Sequence, residues 1–192
     1  MRWAFRLTLI LILAGLGYLG TAIYSVLTIA QAVQRGDDTH IIARTDVPSV
    51  RHAVVDQLMD AYLDFQNQKR RLSPFQRTAL NAYGTAVADS LVGQIFTPEN
   101  VSALLRFGTA KASDGTTQIE NFPPLASIAS VGLPKILGRI RPIKPVEFFV
   151  QLGTPEDDAG ISLHFDGRSW KISSMRLPKF AIKKLVERLP SP

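Results

Sequence analysis

From Leu7 to Gln34 the chain carries no charged residue, and Leu7 to Ile23 is almost entirely apolar. About 20 such residues in a helix cross a hydrocarbon core of roughly 30 Å. The pattern predicts a transmembrane helix over residues 7–27, with the lipid bilayer as its partner. Arg2 and Arg6 precede the run, while Arg35 and the pair Asp37-Asp38 follow it. Positive residues stay on the cytoplasmic side, so residues 1–6 form a cytoplasmic N-terminus and the body lies outside the inner membrane, in the periplasm. A cleaved signal peptide is the alternative, with Gly20-Thr21-Ala22 or Ala30-Gln31-Ala32 as the processing site. The length of the run and its unbroken passage into a helical pattern favour a retained anchor. Gly17 and Thr21 form a small-xxx-small pair; packing against lipid is favoured over packing of two anchors.

The rest of the chain divides by periodicity. Residues 28–107 read as the helical part of the domain. Val26, Ile29, Ala30 and Val33 continue the first helix, and Gly36 caps it. Ile41 to Arg44 reads as a short connector. Asp46-Val47-Pro48 opens a helix to about Gln68, with Val50, Val54, Leu58, Tyr62 and Phe65 on its apolar stripe. Ser73-Pro74-Phe75-Gln76 is a capping box for a helix to about Ile95, and Thr97-Pro98-Glu99 opens a short one through Leu105. Residues 108–141 read as a mobile loop or irregular connector, rich in Gly, Ser, Thr and Pro. A short helix within Ala126 to Arg141 is left open there. Residues 142–178 alternate as an antiparallel meander with one face inward: Val146, Phe148, Val150 and Leu152, then Ile161, Leu163 and Phe165, then Trp170, Ile172 and Ser174. Asp166-Gly167-Arg168 is a tight hairpin turn. Residues 179–192 are a basic amphipathic helix and tail, for which packing on the sheet is favoured over lying on a membrane. The fold class is α+β: an N-terminal transmembrane helix, then helices on a curved antiparallel sheet.

Composition narrows the chemistry. The 192 residues include no cysteine, which excludes disulfides, thiolate catalysis and cysteine metal sites. The net charge of +6 comes from scattered cations apart from Lys69-Arg70-Arg71 and the C-terminal lysines, so no nucleic-acid partner is expected. His40, His52 and His164 stand in no metal-ligand spacing, and no phosphate loop or nucleophile elbow is present. Asp56, Asp60 and Asp64 fall on one helix face and read as solvated. Arg51 and Asp46 read as a structural pair. No cofactor or metal is expected. Phe148, His164 and Trp170 are the candidate ligand-pocket residues, on the reasoning that strand aromatics can line an apolar pocket.

Several segments resemble a bacterial family catalogued as domain of unknown function 2939. They are Tyr24, Ala32 to Asp37, Asp46 to Arg51, Thr97-Pro98-Glu99, Phe165-Asp166-Gly167, Trp170-Lys171-Ile172 and Arg176-Leu177-Pro178. Thr45 and the long loop after Phe107 depart from the family pattern. The resemblance implies a membrane-anchored protein with no established activity and no catalytic residues. The layout is also similar to cone-shaped nuclear-transport-factor-2-like or cystatin-like domains, an analogy of fold alone. The expected function is a non-catalytic binding or envelope-associated module whose partner is an envelope protein or a small ligand. The alternative is a small cone-fold enzyme with His164, Asp166 or Arg51 at a pocket, or a secreted periplasmic protein.

Overall fold

A computed structural model describes residues 2–69, 71, 73–113, 115, 117–129, 136 and 138–189. Arg70, Val131, Leu133, Leu137 and the tail beyond Leu189 lie outside the described residues, as do the side chains of Leu7, Ile10, Leu11, Ile12, Ala14 and Leu16. The first helix, α1, runs unbroken from Arg2 to Arg35 and stops at Gly36, whose φ of 71° favours a residue without a Cβ. Its two halves have different surroundings. Ala22, Val26, Ile29, Ala30 and Val33 are buried in the core, whereas Leu9, Leu13 and Leu19 are 47%, 59% and 43% exposed. The upper part of the 7–27 stretch is therefore protein core. Among the described residues no helix is long and apolar enough to cross a membrane.

The expected connector at Ile41 to Arg44 is instead the end of a helix, α2 (Asp38–Ala43). Asp37 caps it by accepting from the His40 amide, and Ile41 is fully buried, which offsets the poor intrinsic stability of so short a helix. Helix α3 (Val47–Lys69) begins where Asp46 accepts from the Ser49 amide and hydroxyl. Helix α4 (Pro74–Ile95) begins with the complete Ser73–Gln76 capping box, and α5 (Pro98–Phe107) is capped by Thr97. The side chains of Asp56, Asp60 and Asp64 are exposed.

Residues 108–125 are not a featureless loop. They hold a small antiparallel pair, β1 (Ala110–Lys111) and β2 (Gln118–Ile119). Ile119, Phe122 and Leu125 are buried, and backbone bonds tie Phe122 to Gly108 and Leu125 to Leu105. Composition misleads here because a few apolar side chains dock the segment on α5. Helix α6 (Ala126–Ala129) follows.

The main sheet is a four-stranded antiparallel meander in the order β3 (Ile140–Lys144), β4 (Glu147–Gln151), β5 (Gly160–Phe165) and β6 (Trp170–Arg176). Strand β3 escapes the alternation rule because Pro142 interrupts it, yet proline is tolerated on an edge strand. Val146 sits in the β3–β4 turn, exposed, rather than on the inner face. The opposite edge, β6, is covered by the α2–α3 junction, where the Ile172 amide donates to Arg44 O and Ile172 O accepts from the Asp46 amide. A register shift on the β5–β6 pair, beside Ser162 and Leu163, breaks the expected alternation, so Met175 points inward and Ser174 does not. Nor is burial one-sided. Phe149 is buried on the second face, in the space left by Gly160 and beneath the Arg176 guanidinium 4.6 Å away. Helix α7 (Lys179–Val186) packs Ile182, Leu185 and Val186 inward against α3, with Phe180 exposed.

Gly108 gives a test of the ordered 108–125 segment. It holds φ at 72°, and an added Cβ would stand 2.2 Å from Phe122 O. Gly108→Ala is expected to cost more than about 2 kcal/mol in urea unfolding. Gly93→Ala, inside α4 with open space around it, is expected to stabilise by about 0.5–1 kcal/mol.

Candidate functional site

Of the three expected pocket residues, the fold brings two together. Phe148 and Trp170 are 4% and 3% exposed, with ring centroids 5.0 Å apart. Tyr18 of α1 and Phe165 of β5 complete the cluster, at 5.4 Å and 5.3 Å from Trp170. The Trp170 indole N–H donates to Thr21 Oγ1 at 3.1 Å. Thr21 therefore faces the sheet, and the small-xxx-small reading of α1 loses one of its two members. His164 does not join the cluster. It is exposed on the other side of β5, between Glu147 and Lys171 in the register.

Alternation along the strands places these aromatics side by side. The feature that periodicity misses is Tyr18, which lies inside the apolar run and reads there as one more lipid-facing residue. Beside the cluster is a shallow cleft of 250 Å³ between Tyr18 and Leu19 of α1 and the segment Pro142 to Pro145 of the β3–β4 hairpin. Two of several larger open clefts lie against α7 and beside β3. One, of 390 Å³, runs between α3 and α7 past Phe65, Ile182, Lys179 and Lys183. The other, of 690 Å³, is lined by Arg139, Arg141, Gln151, Thr154 and Asp157. Arg141 donates to Gln151 Oε1 at 2.9 Å, while Gln151 Nε2 is buried without a partner. Two guanidinium groups with an amide suit a carboxylate or phosphate group.

The residues considered for an enzyme have other partners. Arg51 does not pair with Asp46; its Nε donates to Phe96 O at 2.7 Å and ties α3 to the end of α4. Asp166 accepts from the amides of Ser169 and Arg168 and pairs with Lys171 at 3.0 Å. Those amides, then the lysine, hold its carboxyl well below the usual range. Asp38 is likewise held low, first by the Ser102 hydroxyl at 2.6 Å and then by Arg106, joining α2 to α5. His52 is exposed, 3.7 Å from Asp56. Among the described residues no group of three or more His, Asp or Glu side chains is arranged to hold a metal ion.

The geometry defines an α+β domain in which a long N-terminal helix is joined to an antiparallel meander through an aromatic cluster. Residues 11–104 match the model of the family described as Protein of unknown function (DUF2939). The match begins inside the apolar run and ends in α5, so the resembling segments of the sheet lie beyond it. No curated protein and no solved structure matches the chain.

Thr21→Val leaves the buried Trp170 N–H without an acceptor, and a loss of about 1–3 kcal/mol is expected in urea unfolding. Asp166 supplies the pH test. A carboxyl held low in the folded state stabilises fully above the ordinary value near 4, and that contribution is lost as pH falls below it. Asp166→Asn is therefore expected to be less stable than the parent at pH 7, with the difference shrinking as the pH is lowered below about 4.

Proposed function

We propose that the chain is a single-pass, inner-membrane-anchored protein whose body is a non-catalytic binding or envelope-associated module on the periplasmic side. The observation that carries this reading is the division of α1. Its C-terminal half is packed in the core, while Leu9 and Leu13, in the half that leads away from it, are exposed. An added Cβ at Gly15 or Gly17 would meet nothing within 4 Å, so no protein lies against the helix at those two positions. Large apolar side chains on a bare helix are costly in water and favourable in hydrocarbon. The charge-free run from Leu7 and the arginines at positions 2 and 6 support a bilayer as the covering medium and a cytoplasmic N-terminus.

The continuity of α1 favours retention over cleavage, because removal at either small-residue site would take away side chains that the core uses. Cleavage after Ala22 would remove Tyr18 and Thr21, and cleavage after Ala32 would remove Val26 and Ile29 as well. The open clefts support binding as the role of the body. The arginine-lined cleft favours an anionic group on the ligand or partner.

Fractionation of cells expressing the tagged full chain tests the anchor. The chain is expected in the membrane pellet, at full length, after an alkaline carbonate wash. Arginine near mid-span costs about 3 kcal/mol, so Leu13→Arg combined with Gly17→Arg is expected to move the protein to the soluble fraction. A shortened soluble form of the parent would instead establish a cleaved signal. An alkaline phosphatase fused after Pro192 is expected to be active, and an inactive fusion would overturn the orientation.

A further inference from the structure

The anchor is too short for the body to stand clear of the bilayer. This argument rests on the membrane reading above. Leu7 to Leu19 rises only about 18 Å at roughly 1.5 Å per residue, against a hydrocarbon core of about 30 Å. From Ala22 onward, Ala22, Val26, Ile29, Ala30 and Val33 of α1 are buried within the protein, while Tyr24 stays exposed. A span that starts at Leu7 therefore ends at the height of Leu27, alongside the body. Whatever part of the body stands at the base of the helix must occupy the missing depth.

That part is the β3–β4 hairpin. Tyr18 and Leu19 share a cleft with Pro142, Ile143, Lys144 and Pro145. Ile143, in the cleft with Leu19 where the helix leaves the core, is 47% exposed, and Val146 in the hairpin turn is 39% exposed. The strand is bulged between Pro142 and Lys144, at Ile143. An unpaired edge is normally unsuited to a lipid surface because its amides lose water. Here Pro142 and Pro145 have no N–H to desolvate. The cations also fit. Lys144, held 3.1 Å from Glu147, flanks the apolar tip, and Arg168 occupies the turn of the neighbouring β5–β6 hairpin, next to Trp170. Basic and aromatic residues around an apolar tip match the headgroup level of an anionic membrane.

We propose that the β3–β4 hairpin tip, Pro142 to Val146, inserts into the outer leaflet of the bilayer that α1 crosses, with the Lys144 and Arg168 side chains reaching up toward the lipid phosphates. The hairpin and the helix then form a two-point mount that sets the tilt of the body on the membrane.

The absence of cysteine makes the test direct. Single cysteines at Leu13, Ile143, Val146 and Ala79 would carry an environment-sensitive fluorophore, in the full chain reconstituted into phosphatidylethanolamine–phosphatidylglycerol vesicles. Ala79 is exposed on α4, which packs on α3 beyond the Gln57–Leu177 hydrogen bond at the far end of the sheet. Lipids with a nitroxide near the headgroup are expected to quench most of the fluorescence at Ile143→Cys and Val146→Cys and to leave Ala79→Cys unchanged. Lipids with the nitroxide deep in the chain should act most strongly on Leu13→Cys. Quenching at Leu13→Cys with both hairpin labels behaving like Ala79→Cys would overturn the hairpin contact while keeping the anchor; the bilayer would then thin to meet the short helix. No quenching at Leu13→Cys would overturn the anchor and the hairpin contact together.

Discussion

The structure depends on one helix serving two environments. Helix α1 is held to the sheet at the end of its buried half, where the Trp170 indole donates to Thr21 and the Tyr18 ring lies against Trp170 and Phe165. The hydrogen bond is a modest net term, but without it a buried N–H has no acceptor, so the geometry is strongly selected. The aromatic contacts add packing that depends on ring orientation. Beyond this join Leu9 and Leu13 stand without protein cover. Tilt or displacement of that free half must be transmitted to the meander, because no flexible segment intervenes between them.

The remaining architecture keeps the join in place. The α2–α3 junction closes the free edge of β6 through Ile172, one turn of strand from Trp170. Asp38 draws Ser102 and Arg106 to the end of α1, so α2 and α5 brace the helix where it turns. Among the described residues nothing pairs with the other edge strand, β3, in this way. It is protected by two devices, proline and charge, that ordinarily discourage edge pairing. On the membrane reading both acquire a further use, since residues that resist strand addition also lower the cost of approaching lipid.

Much of this was legible along the chain. Capping boxes, the glycine stop after α1 and the helical stripes of α3, α4 and α5 are local signals, and each appears where its chemistry places it. The departures have tertiary causes. Ile41 makes a helix of an apparent connector by being buried. Phe122 and Leu125 hold a segment that its composition describes as loose. The shift beside Ser162 turns Met175 inward, and Gly160 gives Phe149 a place on the face expected to be solvated. Of the candidate pocket, the pairing of Phe148 with Trp170 follows from strand register. The exclusion of His164 follows from alternation, whereas the arrival of Tyr18 follows from neither.

The sequence by itself determined the helices and their ends, the antiparallel meander and the charge-free N-terminal run. It also determined what chemistry is out of reach for a chain without cysteine. These properties are set by local propensity, spacing and composition. Only the tertiary structure decided where the apolar run stops being exposed and becomes core, because Ala22 and Val26 are no more apolar than Leu9 and Leu13. The difference lies in which side chains find a protein surface to cover them, and that surface is assembled from α2, α5 and α6, with Phe165 and Trp170 of the sheet at its edge.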